Sequence, residues 1–170
     1  MKIISWNVNG VRARLPRLLA LLERHKPDLL CLQETKSQDS TFPFEALKEA
    51  GYNAAHLGQK SFNGVAMISP HELVDVRRGF DGDPIPEHAR VISAEVQGVR
   101  VVNLYVVNGK DLESEYYPIK LAWLDAVTAW MDQAFGFDGA LLACGDFNIA
   151  PDDRDVYDPE IWRDRVLVSA

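Results

Sequence analysis

Six polar side chains close apolar runs of this sequence in a way that suits oxygen chemistry. The run Lys2–Trp6 leads to Asn7, and Asp28–Gln33 leads to Glu34. The run Val99–Val106 carries Tyr105 near its end and is followed by Asn108, and Gly139–Cys144 leads to Asp146 and Asn148. Each run reads as a strand, and strand ends in an α/β sheet commonly share one edge, where sites form. Two carboxylates with amides beside them suit a hard cation such as Mg²⁺, which takes one or two protein carboxylates plus waters and phosphate oxygens. No His/Cys cluster at ligand spacing competes with that choice. Taken singly, each residue also fits a plainer role. Asn7 and Asn9 fit turn positions before Gly10, Glu34 a surface cap or pair, and Asp146 a helix N-cap. Four apolar strands that all end this way favour the cation site.

The elements that must position these residues are mixed α/β. Leu15, Leu18, Leu19 and Leu22 form the apolar stripe of a helix, with Pro16 expected in its first turn and Pro27 stopping it. Residues 28–33 are almost wholly apolar, as in a strand covered on both faces. A short helix over about 44–50 is closed by Gly51. Strands are expected over 52–57, 64–69 and 73–77. Residues 90–96 and 99–106 are rich in β-branched side chains and joined at Gln97-Gly98, the pattern of a hairpin. Pro118 opens a long helix striped by Ile119, Trp123, Val127, Trp130 and Met131, and Gly139–Cys144 is the last apolar strand. Beyond Pro151 the chain becomes charged and loop-like.

A length of 170 residues suits one domain with a real core, here residues 1–170, and the composition is that of an ordinary soluble protein. No apolar run reaches the length of a membrane span, and Lys2 leads directly into a strand rather than an export signal. A cytoplasmic protein without a membrane partner is therefore expected. Cys31 and Cys144 lie inside apolar runs without paired spacing and read as buried, reduced thiols. Lys and Arg number 18 against 25 Asp and Glu, a net charge of −7, which argues against a nucleic-acid partner when taken alone. An enzyme that holds a cation needs acidic residues, however, and can gather its basic ones on one face.

The words around the polar strand ends go further. SWNVNG at 5–10, LQETK at 32–36, NGVAM at 63–67, RRGF at 77–80, NLYVVNG at 103–109 and GDFNIAPDDRDVY at 145–157 stand in this order. In order and spacing the chain resembles the exonuclease III/AP endonuclease family, within the endonuclease/exonuclease/phosphatase superfamily. The resemblance implies a two-sheet α/β sandwich. It also implies a Mg²⁺-dependent (or Mn²⁺-dependent) DNA-repair phosphodiesterase that cuts duplex DNA at abasic sites, with 3′→5′ exonuclease activity at duplex ends. By the same resemblance Asn7, Glu34 and Asp146 make up the metal set, and Asp146 also serves the attacking water. Tyr105 and Asn148 reach the scissile phosphate, and Arg90, Asn108 and Lys36 contact DNA. A monomer is expected.

The sequence departs from the family pattern in two places. Val107 stands where many relatives have proline, and the family's final segment, with its RID-type strand and SDH motif, is not found. None of His25, His56, His71 or His88 lies in such a context, and all but His88, a loop residue, read as surface or packing histidines. The chain is therefore expected to be C-terminally incomplete and weak or inactive as it stands. Its second sheet should be incomplete and its final strand left with an uncovered apolar face or edge. Two other readings stay open: a different metal-dependent phosphoesterase of the superfamily, acting on phosphoinositides, sphingomyelin or nucleotides, and a non-catalytic DNA-binding remnant.

Overall fold

A computed structural model describes residues 1–136 and 139–168. Strand β1 (Ile3–Asn7) is followed by helix α1 (Val11–His25) and strand β2 (Leu29–Gln33), and a 3-10 turn (Asp39–Thr41) precedes α2 (Phe44–Glu49). Strands β3 (Asn53–Leu57), β4 (Val65–Ser69), β5 (Val74–Arg78), β6 (Val91–Val96) and β7 (Val99–Tyr105) come next. The long α3 (Tyr116–Phe135), β8 (Leu141–Asp146) and the short α4 (Pro159–Trp162) complete the chain. One sheet runs β1-β2-β4-β3 and the other β5-β6-β7-β8.

Each sheet contains one parallel pair, and in each the connection is a helix: β1–α1–β2 in the first sheet and β7–α3–β8 in the second. A parallel pair needs such a crossover, and the helix has to bury its apolar stripe on the sheet. Alternation along the strands sorts the side chains into layers. Leu30 and Leu32 pack with Leu18 and Leu22 of α1. Leu29 and Cys31 face the other way and meet Ile92, Ala94 and Val101 of the second sheet. Val102 and Leu104 then pack on Trp123, Val127 and Trp130 of α3. The order is helix, sheet, sheet, helix, and β2 is buried along its whole length.

Most expected elements are present. The hairpin turns on Gln97 and Gly98, both at positive φ (51° and 78°), as a two-residue turn requires. Pro118 lies in the first turn of α3. Pro16 is different. Helix α1 already begins at Val11, because the N–H groups of Gly10 and Val11 donate to the carbonyls of Glu34 (2.7 Å) and Thr35 (2.9 Å). A tertiary contact thus lengthens the helix, and Pro16 falls in its interior, where it offers no N–H to the Arg12 carbonyl. The second sheet has as many strands as the first. Its edge strand β8 leaves Leu141 and Leu142 37% and 38% exposed, the open apolar surface expected of the last strand. No helix among the described residues is long and apolar enough to cross a membrane.

A buried amide bridges the apolar layer between the sheets. Asn103, fully buried on β7, donates through Nδ2 to the carbonyls of Leu32 on β2 and Ala66 on β4, both at 2.9 Å. Its Oδ1 accepts from Gln33 Nε2 at 2.7 Å, and Gln33 also donates to Ser5 Oγ at 3.1 Å. A buried amide with its partners in place is tolerated, whereas partners left unpaired lose the full cost of their desolvation. Replacing Asn103 by Leu should therefore destabilise the protein by about 3 kcal/mol in urea unfolding. A loss smaller than that of an ordinary surface substitution would show that this amide does not lock the sheets.

Candidate active site

The C-terminal ends of both parallel pairs meet at one place. Asn7 pairs in register with Gln33, one residue before Glu34, and Tyr105 pairs with Asp146. Strands β1 and β8 lie against each other across the sandwich. Asn7 Nδ2 donates to Glu34 Oε1 at 2.9 Å and to Asp146 Oδ2 at 2.8 Å, so carboxylates carried by different sheets converge on one nitrogen. Tyr105 donates its hydroxyl to the same Glu34 Oε1 at 3.0 Å, and Lys36 Nζ approaches Oε2 at 2.9 Å. Burial alone would raise the Glu34 pKa. The hydrogen bonds from Asn7, Lys36 and Tyr105 outweigh it and hold the carboxyl below the usual glutamate range. Burial, reinforced by the charge of Glu34, pushes the Tyr105 hydroxyl up to about 12, so it remains a donor at neutral pH.

Asn148 and Asn108 stand beside this group. Asn108 Nδ2 donates to Asn148 Oδ1 at 3.0 Å, Asn148 Nδ2 donates to the Val106 carbonyl at 2.9 Å, and Asn148 N–H donates to Asp146 Oδ1 at 3.1 Å. Below them Lys120 is buried on α3 and donates to the carbonyls of Asn148 (2.7 Å) and Val166 (3.1 Å), which holds the Asn148 main chain from behind. The approach of β8 to β7 depends on Gly145, where a Cβ would lie 1.9 Å from the Leu104 carbonyl oxygen.

The turn that carries Glu34 is held on several sides. Glu34 and Lys36 both adopt left-handed backbone (φ 52° and 49°), which costs a non-glycine residue about 1–3 kcal/mol unless its surroundings impose it. Four main-chain bonds do so. Gly10 and Val11 donate to the Glu34 and Thr35 carbonyls, Thr35 N–H donates to Gly64, and Lys36 N–H donates to Asn63. Gly64 (φ 94°) must lack a side chain, because a Cβ there would lie 2.0 Å from Thr35 Oγ1. That hydroxyl is 2.8 Å from Nε2 of the buried His56, whose Nδ1 lies 2.7 Å from Asp39 Oδ1. Burial lowers the His56 pKa to about 4, with the Asp39 charge opposing the shift.

The structure gathers Asn7, Glu34, Tyr105 and Asp146 into one hydrogen-bonded group, with Asn108 and Asn148 at its side. The three candidate DNA contacts separate. Asn108 is exposed. Lys36 is partly exposed, and its Nζ is engaged by Glu34 and by Asn9 Oδ1 at 2.6 Å. Arg90 turns inward. It is 8% exposed, its guanidinium lies 4.7 Å over the Tyr105 ring, and Nη1 donates to the carbonyls of Tyr105 (3.1 Å) and Val106 (3.4 Å). Buried beneath the Tyr105 ring, with Nη1 on the main chain, it is placed to support Tyr105. Asn103, His56, Thr35 and Lys120 were not singled out from the sequence. The visible signal for Asn103 was an amide in the middle of an apolar β-branched run.

The donor set fits a divalent cation with oxygen preference. Glu34 and Asp146 are acceptor-only groups aimed at one point, and Asn7 adds an amide. Asn7 turns Nδ2 towards both carboxylates while its Oδ1 accepts from Asn9 N–H at 3.1 Å, so the amide would have to turn over to become a ligand itself. Among the described residues no group of three His, Cys, Asp or Glu is placed to hold a metal ion, and the set here has two carboxylates and an amide. A cavity of about 780 Å³ between α1 and the start of β3 is lined by Pro16, Leu19 and Tyr52 and holds none of these residues. The chemistry therefore lies at the strand ends and not in that cavity.

Known proteins share the sequence and the fold. The model of a family described as Endonuclease/Exonuclease/phosphatase matches residues 4–170. Exodeoxyribonuclease III of Haemophilus influenzae is 35% identical over 161 residues, covering 92% of this chain, which itself spans 60% of that protein. A 3′ phosphatase from Neisseria, solved with product DNA hairpin bound, is 43% identical with a TM-score of 0.93 over 97% of this chain and 64% of its own. An AP endonuclease from Archaeoglobus fulgidus is 37% identical with a TM-score of 0.94 over 98% and 65%.

Two measurements check the electrostatics. Tyr105→Phe removes one donor from Glu34, so the Glu34 carboxyl should titrate closer to the ordinary glutamate range in a ¹³C NMR titration. An unchanged titration would remove Tyr105 from the group. The second concerns His56. Above its ordinary pKa of 6.5 the ring is neutral in both the folded and the unfolded chain, and its environment carries no pH penalty. As pH falls towards about 4 the unfolded chain takes up a proton that the folded one refuses, and stability drops by about 3 kcal/mol. Urea unfolding between pH 7 and 4 should show this slope in the parent protein and lack it in His56→Gln, and equal slopes would contradict the burial of a neutral ring.

Proposed function

The chain belongs to the Endonuclease/Exonuclease/phosphatase family, and from that premise we propose that it is a metal-dependent DNA phosphodiesterase of the exonuclease III/AP endonuclease kind. Its substrate is duplex DNA, cut at abasic sites and trimmed from 3′ ends. The observation that carries this reading is the convergence of Glu34 and Asp146 on Asn7 Nδ2. Two carboxylates brought so close from different sheets are a place for positive charge. The DNA partner is supported by relatives whose names speak of exodeoxyribonuclease, AP endonuclease and bound DNA product.

Glu34 and Asp146, with Asn7 beside them, would hold Mg²⁺ or Mn²⁺. When bound, such an ion neutralises the phosphate and stabilises the departing 3′ oxygen. The protein groups do the rest. Asp146 accepts from Asn148 N–H through Oδ1 and from Asn7 through Oδ2, which fixes its plane for orienting and deprotonating the attacking water. Water oxygen bonds to phosphorus as the bond to the 3′ oxygen breaks, and in-line alignment supplies much of the rate. Tyr105, protonated at neutral pH, would donate to a phosphate oxygen by turning its hydroxyl from Glu34 Oε1, and Asn148, held by Lys120 and Asn108, would donate beside it. Lys36 and Asn108 serve the DNA backbone at the rim, and Arg90 acts by steadying Tyr105. An abasic site suits such an enzyme because the missing base lowers the cost of extruding the nucleotide.

The test is nicking of an abasic duplex in the presence of Mg²⁺. Glu34→Ala should abolish it, and Asp146→Asn should reduce kcat by about 10³-fold while DNA affinity is kept. Nicking that survives Glu34→Ala or a chelator would end the metal assignment. Turnover of an inositol phosphate in place of the abasic duplex would assign the chain to another branch of the family, and DNA binding without Mg²⁺-dependent nicking would make it a binding protein.

A further inference from the structure

We propose that Asp39, His56 and Thr35 form a proton-ordered strut that holds Glu34 in its cation-binding conformation, which makes His56 a positioning residue of the site. The inference rests on the reading of Glu34 as a metal-binding carboxylate. Chemistry dictates the order of the protons. Asp39 Oδ1 can only accept, and it lies 2.7 Å from His56 Nδ1; the contact is off the line of a hydrogen bond, but a carboxylate this close repels a bare ring nitrogen, which favours the imidazole proton on Nδ1. Nε2 is then bare and accepts from Thr35 Oγ1 at 2.8 Å, which commits the threonine hydroxyl as donor.

The surroundings keep this order rigid. The His56 ring stacks on Phe42 (centroids 4.1 Å apart, planes 21° apart) with Phe44 edge-on at 6.4 Å. Arg78 Nε, on the second sheet, donates to the His56 carbonyl at 2.9 Å, and Gly58 N–H donates to Asp39 Oδ1 at 3.0 Å. His56 and Thr35 are 2% and 1% exposed. If the position served packing alone, an apolar side chain would fill it without the cost of burying a polar ring. The strut delivers its constraint at Thr35, between two residues in left-handed backbone, and the first of these is Glu34. Groups that orient a metal ligand from behind tune affinity without touching the ion.

The test titrates the metal-free protein with Mg²⁺ alone, by calorimetry, and follows the Glu34 carboxyl by ¹³C NMR. Thr35→Val, isosteric but without the hydroxyl, and His56→Leu should each weaken Mg²⁺ binding about 10- to 100-fold, and the double variant should be no weaker than either single. In both, the Glu34 carboxyl should titrate differently from the parent. His56→Gln can offer Oε1 to the Thr35 hydroxyl and should restore most of the affinity. Glu34→Gln is the control. If it loses Mg²⁺ binding while a folded Thr35→Val keeps parent affinity, the strut is refuted and the metal reading stands. If Glu34→Gln binds as the parent does, the metal reading fails and the inference fails with it. Should His56→Leu not fold, Thr35→Val decides the question alone.

Discussion

Asn7 Nδ2 stands between two carboxylates that reach it from opposite sheets, Glu34 following β2 and Asp146 ending β8. A hydrogen-bonding nitrogen serves both only while the two sheets keep their separation to within a few tenths of an ångström. Much of the rest of the structure meets that requirement. The apolar layer of Leu29, Cys31, Ile92 and Val101 supplies adhesion without direction. Asn103 and Gln33 add direction, because their amides fix one register between β7 and the pair β2 and β4. Arg78, which reaches the His56 carbonyl, ties the far strands in the same sense.

The second constraint is on the backbone. The residues that carry the site lie where strands end, and several leave the strand in left-handed conformation: Asn9 and Glu34 after the first parallel pair, and Asn148 after the second. Asn tolerates that region, whereas Glu does so at a cost that neighbouring bonds must offset. Around Glu34 the offset comes from the start of α1, from the loop before β4 and from Thr35. Around Asn148 it comes from Asn108, Val106 and Lys120. The site is therefore held by its surroundings before any ligand arrives, which is what preorganised electrostatic catalysis requires.

Much of this was legible along the chain. Apolar alternation and turn residues located the strands, and the polar residues closing four of them are those that meet in space. The motif words placed Glu34, Asp146, Asn7 and Tyr105 in one group because such words record a site rather than a local conformation. Other features were not legible, each for a physical reason. The true start of α1 depends on carbonyls of residues 34 and 35, so Pro16 looked like a first-turn residue. Arg90 read as a DNA contact, and its burial under Tyr105 could not be seen because a neighbouring strand sets it. Cys31 and Cys144 lack paired spacing, yet both join one apolar cluster between the sheets, where sheet packing alone brings them together.

Sequence by itself determined the chemistry on offer and the local form of the chain: hard oxygen donors at strand ends, helices with one apolar stripe, and strands with alternating faces. These are properties of residues and their near neighbours, and short-range sterics and side-chain type suffice to set them. The tertiary structure decided which donors share a proton or a charge. Glu34 and Asp146 are separated by most of the chain, and only sheet packing brings both to Asn7. The same packing turned His56, an ordinary residue of β3, into a neutral buried group between Asp39 and Thr35. Ionisation state and orientation depend on burial and on partners remote in the chain, and neither exists until the sheets have closed.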